Sequence, residues 1–329
     1  MVTSTTVPFS APNKKDRVAR RGWPEIVGIV EASVWRRRGH SGACENFDPN
    51  GEDAFVHNNL EKRDDIPHWN TCPRWFELAS SLKRCLLHRI TYMQSQYYWS
   101  EIASVCAECG SDLLKNVLGA KYLVNKDDVK GLLIPYPEEA ECVQVTVGVG
   151  NDTFAEQRLK EYVKNVKFYG VDPILQSGEP YKKMGDYYQL AVASKPGQLN
   201  ASVLINGHYT WQMVEAITLE ELLINRLKLP MIDFLFLDIE GAEYKVLPQL
   251  SSTGALANKT VICQINVELH GPLPDYGMDA FMFSRVIKSL IFQSNYLPLW
   301  VPKPTSHHRF FLIDWKSPEC VQKYFTHWC

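Results

Sequence analysis

The sequence is short of several things, and each shortage removes a class of protein. No run approaches the roughly 18 uninterrupted apolar residues of a membrane span, so no membrane role is expected. Neither sign of charge dominates: 35 Lys and Arg stand against 37 Asp and Glu, a formal net charge of -2. A nucleic-acid binder normally carries a basic patch or stripe, so nucleic acid is not an expected partner. The opening MVTSTTVPFSAPNKKDRVARR lacks the apolar centre of a secretory leader, which makes the expected location cytoplasmic. Nine cysteines, an odd number spread over 329 residues, argue against a disulfide framework and for mostly free, buried thiols. Cys106 and Cys109 form the one Cys-x-x-Cys, with no second pair at zinc-finger spacing, so no structural zinc is expected. Asn-x-Ser/Thr triplets begin at Asn151, Asn200 and Asn258; such triplets are common by chance and do not alter the expected compartment.

What is present is enough apolar material, 45% of the chain, to bury a sizeable core. Residues 1–65 are rich in Pro, Gly and charge and show no sustained period, which reads as a poorly ordered arm with one short strand at Glu25 to Val30. Over residues 66–135, WFELASSLKRCLLHRI and YYWSEIASVCAECGSDLLKNVL place apolar residues three and four apart, which predicts a helical cap. Residues 136–329 alternate short apolar runs with helical segments. Strands are expected at Val143 to Gly150, Val166 to Asp172, Tyr187 to Ser194, Ala201 to Asn206, Ile232 to Ile239 and Val261 to Leu269. Helices are expected at Thr153 to Asn165, Thr218 to Leu227, Ala242 to Leu250 and Met278 to Phe292. Runs apolar on both faces and separated by helices require a parallel sheet covered on both sides. The pattern is therefore an open doubly wound α/β domain, closed by YLPLWV and HRFFLIDW as an antiparallel edge hairpin.

In such a sheet, ligands bind outside the carboxyl ends of the strands. GVGND supplies Gly148 and Gly150 at the first strand-to-helix turn, where a backbone can approach a ligand closely. Asp172 ends the next strand, near the roughly 20-residue offset at which an acid accepts hydrogen bonds from ribose hydroxyls. Phe154 and Ala155 stand where dinucleotide binders place a third glycine, which favours a nucleoside cofactor without a pyrophosphate. At the end of FLFL come Asp238, Glu240 and Glu243. Asp238 and Glu240 share side-chain parity and so one face, whereas Glu243 fits a cap on the following helix. Asn266, Glu268 and His270 also alternate onto one face. With Asp238 they offer the donors of a divalent metal site, but a hydrogen-bonded polar network is the favoured reading and no metal is assigned. His307 and His308 read as surface residues of an edge strand. Trp211, Tyr209 and Tyr188 read as core rather than as an adenine platform.

The strings ITLEELL, IDFLFLDIEGAEYKVL and INVELH resemble the FkbM-type S-adenosylmethionine-dependent methyltransferases, over roughly residues 140 to 327. VGVGNDTFAEQRL, FYGVDP and HHRFFLIDWKSPECVQKYF look more narrowly like that family's nematode-expanded branch. The resemblance implies a mostly parallel, seven-stranded Rossmann-like sheet. It implies S-adenosylmethionine held by Gly148, Gly150, Asp172 and Asp238, and methyl transfer to the oxygen of a small-molecule or glycan-like acceptor served by Asp238, Glu240 and His270. Two departures stand out: Thr146 and Val147 occupy the place of the acid that usually precedes the glycines, and Phe236 that of a lysine two residues before the motif aspartate. Two alternatives follow, a non-catalytic binding protein on a decayed methyltransferase scaffold and an NAD or nucleotide-sugar oxidoreductase, the latter disfavoured by the incomplete glycine motif.

Overall fold

A computed structural model describes residues 72–329 apart from 114–118, 127, 206–207, 272–278 and 305. The arm expected over residues 1–65, with its strand, lies outside the described residues.

The chain begins with two helices, α1 (Pro73–Thr91) and α2 (Tyr98–Asp112), and then a hairpin, β1 (Lys121–Val124) and β2 (Val129–Leu132). The main sheet starts with β3 (Cys142–Val147), α3 (Phe154–Tyr162), β4 (Val166–Asp172), α4 (Leu175–Tyr181) and β5 (Asp186–Gln189). A small sheet is inserted as β6 (Ala191–Ala193), β7 (Gly197–Ile205) and β8 (His208–Thr218). After a π-helical turn at Glu221–Arg226 come β9 (Met231–Leu237), α5 (Glu243–Val246), β10 (Val261–Leu269), α6 (Ala280–Gln293), β11 (Tyr296–Trp300), β12 (His308–Asp314) and α7 (Pro318–Tyr324).

The seven-stranded sheet has the order β11-β12-β10-β9-β3-β4-β5. Pairings from β10 through β5 are parallel, and β12 runs antiparallel to both β10 and β11. This is the doubly wound sheet with its closing hairpin at one edge, as the sequence pattern requires. Strand order reverses at β3, whose neighbours are β4 on one side and β9 on the other, so the crevice opens where β3 and β9 end. In β9 every residue from Ile232 to Leu237 is buried, which explains the apolar run from Phe234 to Leu237. Asp233 is tolerated there because Val143 N–H (2.7 Å) and the Tyr324 hydroxyl (2.7 Å) both donate to it.

Helix α1 starts with Pro73 in its first turn and buries Trp75, Ala79, Leu82, Leu86 and Ile90, a stripe at three- and four-residue spacing. It packs on α2 and α6, and α2 packs on β11. The two helices therefore belong to the same compact unit as the sheet, which spans Asp64–Cys329. The helical expectation over 66–135 fails at β1 and β2, where a hairpin stands instead. The hairpin docks through an amide ladder on β10: Gly131 N–H donates to Asn266 Oδ1 (2.7 Å), and Asn266 Nδ2 donates back to Gly131 O (2.9 Å). Gln264 repeats the exchange with Leu133, at 2.8 and 3.0 Å. Two buried polar side chains are thereby satisfied, and the tip of β2 is carried to the crevice.

Three other expectations are corrected. The single strand expected at Tyr187 to Ser194 is two, β5 in the large sheet and β6 in the three-stranded sheet β6-β8-β7; the break falls at Leu190, whose N–H turns back to Asp172 O (3.2 Å). The helix expected at Thr218 to Leu227 stands at 219–226 and is π-helical from Glu221 to Arg226, its start set by β8, which runs through Thr218 in pairing with β6 and β7. The described cysteines are mostly paired: Cys72 with Cys329, Cys85 with Cys109, and Cys263 with Cys320. Cys106 and Cys142 are free and buried. Among the described residues no helix is long and apolar enough to cross a membrane.

Candidate active site

A cavity of about 800 Å³ opens at the carboxyl ends of β3, β4, β9 and β10, within the size range of small-molecule sites. One end is walled by Ile174, Leu190, Val192 and Leu199, so the inserted sheet supplies part of its apolar surface. The other end gathers Asp238, Glu240, Glu268, His270, His307 and Arg309.

At the glycine loop, Gly148 has φ +88° and Gly150 φ +61°. A Cβ on Gly148 would stand 1.6 Å from the carbonyl oxygen of Asp238, whereas one on Gly150 would meet nothing within 4 Å. The first glycine is therefore demanded by the close approach of β3 to β9, and the second leaves room over the cavity. Asp172 holds this loop. Its Oδ2 accepts from Val149 N–H and Gly150 N–H, both at 3.0 Å, and its Oδ1 from Ile174 N–H at 2.8 Å. Burial pushes the Asp172 carboxyl up, and the three amides oppose that.

Under the loop runs a buried polar chain. The Tyr181 hydroxyl donates to Gln144 Oε1 (2.7 Å), Gln144 Nε2 to Thr146 Oγ1 (2.6 Å), and Thr146 Oγ1 to Glu156 Oε1 (2.6 Å). Glu156, on α3 and 2% exposed, brings a carboxyl to the very residue that stands where the family usually has its acid. Lys130, from the tip of β2, lies 5.6 Å from the centre of the Phe236 ring and pairs with Asp128. An ammonium thus reaches the place of the missing motif lysine from another strand. The local pattern of the sequence held no signal for either residue, because both arrive through tertiary packing.

At the acid end, Glu243 is fully buried, and its Oε1 accepts not from the helix but from Ile239 N–H (2.7 Å), ahead of it. The same oxygen lies 3.1 Å from His270 Nδ1. That bond fixes the imidazole and turns Nε2 toward Glu240 Oε2 at 3.3 Å and Asp238 Oδ1 at 3.6 Å. Asp238 Oδ1 is itself buried without a hydrogen-bond partner. Asp238, Glu240 and His270 do converge, Glu240 through the turn beyond β9 rather than through strand parity. Asn266 does not join them, being engaged with β2, and Glu268 is held by Arg309 in a two-pronged ion pair at 2.9 and 3.1 Å. His307 and His308 are not exposed edge residues: His307 is half-buried with its ring centre 4.4 Å from that of His270 and tilted 43° to it, and His308 is fully buried with Nε2 donating to Trp99 O (2.7 Å). Trp211, at 56% exposed, is not core. Glu240 adopts φ 55° just before Gly241 at φ 100°, a left-handed conformation that costs a non-glycine residue about 1 kcal/mol or more and is kept where it aims a carboxylate at His270.

The electrostatics follow from this crowding. Burial opposes charge on His270, but the Glu243 bond and the carboxylates of Glu243, Asp238 and Glu240 raise it to about 9. Burial raises Asp238 to about 8, against the pull of His270. Burial, His270 and Arg309 push His307 down to about 4, so it is neutral. Both raised groups make the folded state bind more protons than the unfolded chain. Stability from His270 is complete below its ordinary value of 6.5 and gone above about 9, and Asp238 becomes steadily less favourable as pH rises from 3.8 to about 8. Melting temperature is expected to fall between pH 6 and pH 9, with a shallower fall in His270→Gln; identical profiles would mean that the cluster does not titrate in this way. Asp238, Glu240 and His270 each offer one ligand atom, all within 4.8 Å of one another, as do Glu268, His270 and His307; these are the described residues able to hold a divalent cation.

The family model of the methyltransferase FkbM domain matches residues 115–296. The chain belongs to that family of S-adenosylmethionine-dependent methyltransferases. Its solved likenesses are distant. One is fibrillarin from Aeropyrum pernix in complex with S-adenosyl-L-methionine, 11% identical over 55% of this chain and 70% of that one, with a TM-score of 0.33. Another is TrmK of M. capricolum in complex with S-adenosyl-homocysteine, 13% identical over 54% of this chain and 64% of that one, with a TM-score of 0.28. No curated protein matches the chain.

Proposed function

We propose that the chain methylates a hydroxyl oxygen of a small-molecule or glycan-like acceptor. The observation that carries this reading is the His270 arrangement, a buried imidazole fixed at Nδ1 by Glu243 and presenting Nε2 to two carboxylates at the cavity. The residues fit the cofactor. The Asp172-held loop with Gly148 and Gly150 would take its nucleoside, Leu190, Val192 and Leu199 supply an apolar wall, and the Oδ1 of Asp238, buried without a hydrogen bond, suits a cation. Bound there, S-adenosylmethionine supplies an electrophilic methyl group on a sulfonium. The chain's own part is to orient the acceptor and take its proton. Asp238 and His270 act together as the base, the proton resting on Nε2 while Glu243 holds the other nitrogen. Lys130 and Arg309 offset the negative charge of the cluster, and the polar lining at this end suits an acceptor rich in hydroxyls. This reading needs no metal.

Because both members of the base carry raised pKa values, the methyl-transfer rate is expected to climb with pH through an apparent pKa between about 8 and 9. EDTA should leave the rate unchanged, and His270→Ala should lower kcat by about 10²–10⁴-fold. Loss of activity in EDTA with recovery in magnesium would replace the base by a metal on the same ligands. Full activity of His270→Ala would remove the residue from the reaction. S-adenosylmethionine at a hundred times its Kd should stabilise the fold by about 2.7 kcal/mol, and a flat melting response would favour the decayed-scaffold alternative.

A further inference from the structure

Two observations that are weak alone point the same way together. Three disulfides tie the described chain: one joins α1 to α2, one joins β10 to α7, and one joins the residue before α1 to the last residue, Cys329. Such bonds form and persist in oxidising compartments and are rare in the cytosol. The same compartments in eukaryotic cells attach glycans to Asn-x-Ser/Thr triplets, and the asparagine of all three triplets in this chain is exposed. A chain that met only the cytosol would have no use for the first feature and would make nothing of the second.

The fold separates the three triplets. Asn258 lies in the turn before β10, at φ 57°. The parallel strands enter the sheet there, so the turn is at the opposite end from the cavity. Its Thr260 hydroxyl donates to Leu229 O at 2.8 Å, which anchors the turn beneath the exposed asparagine. Asn200 lies on β7, the edge strand of the small sheet. Its neighbours Leu199 and Ala201 line the cavity, so the alternation of a strand points Asn200 the other way. Neither residue touches the machinery described above. Asn151 differs, for it stands in the glycine loop and lines the cavity, and the Thr153 of its triplet is buried, at 5% exposed. A glycan there would cover the cavity mouth.

We propose that Asn200 and Asn258 are N-glycan acceptor sites of a chain that folds oxidised, in a secretory lumen or outside the cell, and that Asn151 stays bare. This replaces the cytoplasmic location expected from the sequence. The statement about Asn151 rests on the cavity being the cofactor site, and the statements about Asn200 and Asn258 do not. The acceptor then meets the enzyme in the lumen or beyond it, where hydroxyl-rich glycans are abundant, and the methyl donor has to be delivered across a membrane.

The test uses the chain purified from the cells that make it. Peptide N-glycosidase should convert Asn200 and Asn258 to aspartate, read by peptide mass, and leave Asn151 unchanged. Alkylation of the denatured chain without reductant should label Cys106 and Cys142, with Cys72, Cys85, Cys109, Cys263, Cys320 and Cys329 labelled only after reduction. Asn200→Gln and Asn258→Gln should each remove one glycan while methyl transfer stays at the wild-type rate. Conversion at neither asparagine, or labelling of all these cysteines without reductant, would overturn the proposal. Conversion at Asn151 in a chain that still binds S-adenosylhomocysteine would overturn the exclusion at the cavity alone.

Discussion

Gly148→Ala is expected to abolish measurable S-adenosylhomocysteine binding and to destabilise the domain by about 3 kcal/mol or more, in the range reserved for steric and backbone clashes. The added Cβ would fall 1.6 Å from Asp238 O and 2.7 Å from the Asp238 carbonyl carbon, and neither atom belongs to a side chain that can swing aside. The backbone at φ +88° adds its own penalty for any residue with a Cβ. Relief requires β3 and β9 to part where Asp238 N–H donates to Val147 O at 2.9 Å, so the site loses its loop and its aspartate together. Gly150→Ala is the control. Its φ is also positive but its Cβ meets open space, so the cost should stay near 1 kcal/mol. Thermal melts give the stability and calorimetric titration gives the affinity. Wild-type binding by Gly148→Ala would take the glycine loop out of the cofactor site.

How much of this was legible in the sequence depends on how local the cause is. Strands β4 and β10 fall on the expected residues, because VKFYGVD and VICQINVEL are short runs rich in β-branched and aromatic residues. Strand β8 was not read, although HYTWQMVEAIT is long enough for a strand, since its end overlaps a run with helical spacing and only pairing with β6 and β7 settles the choice. At the site, alternation pointed to Asp238 and His270, just past the ends of adjacent parallel strands, whereas Glu240 joins them through a left-handed turn that no strand period shows. Parity also placed Asn266 there, wrongly, for nothing in the alternation shows that a hairpin more than a hundred residues earlier in the chain claims its amide. The cysteines failed for the same reason: the partners of Cys72 and Cys263 lie 257 and 57 residues away, and an odd total says nothing about how many meet.

The two departures from the family pattern have physical substitutes. Glu156 hydrogen-bonds through Thr146, and Lys130 reaches over Phe236. A scaffold released from function would be under no pressure to keep a carboxyl at 2% exposure, where burial raises its pKa, or to keep Glu240 in a left-handed conformation beside a buried histidine. Both are costs of a kind that functional sites retain. They weigh against a non-catalytic protein and in favour of a working methyltransferase.

Asp172→Asn is expected to weaken S-adenosylhomocysteine binding by about 1.5–3 kcal/mol, the worth of hydrogen bonds to a charged group, and to lower the melting temperature as well. The carboxylate accepts three backbone N–H bonds, from Val149, Gly150 and Ile174. An amide can replace one oxygen, but its NH₂ would then face N–H donors and leave at least one buried amide unpaired. The expectation from sequence, that this acid accepts ribose hydroxyls, and the loop-holding role seen in the structure predict different behaviour with a 2′-deoxy analogue of S-adenosylhomocysteine. If Asp172 also touches the ribose, the wild type should prefer the normal ligand over the analogue and the variant should lose that preference. If it acts through the loop alone, wild type and variant should discriminate equally, and the variant should bind both ligands more weakly by the same factor. The second outcome is expected, because Val149 and Gly150 of the loop occupy one carboxylate oxygen and Ile174, in the turn after β4, takes a position on the other. Unchanged affinity together with unchanged melting would leave Asp172 no part in the site.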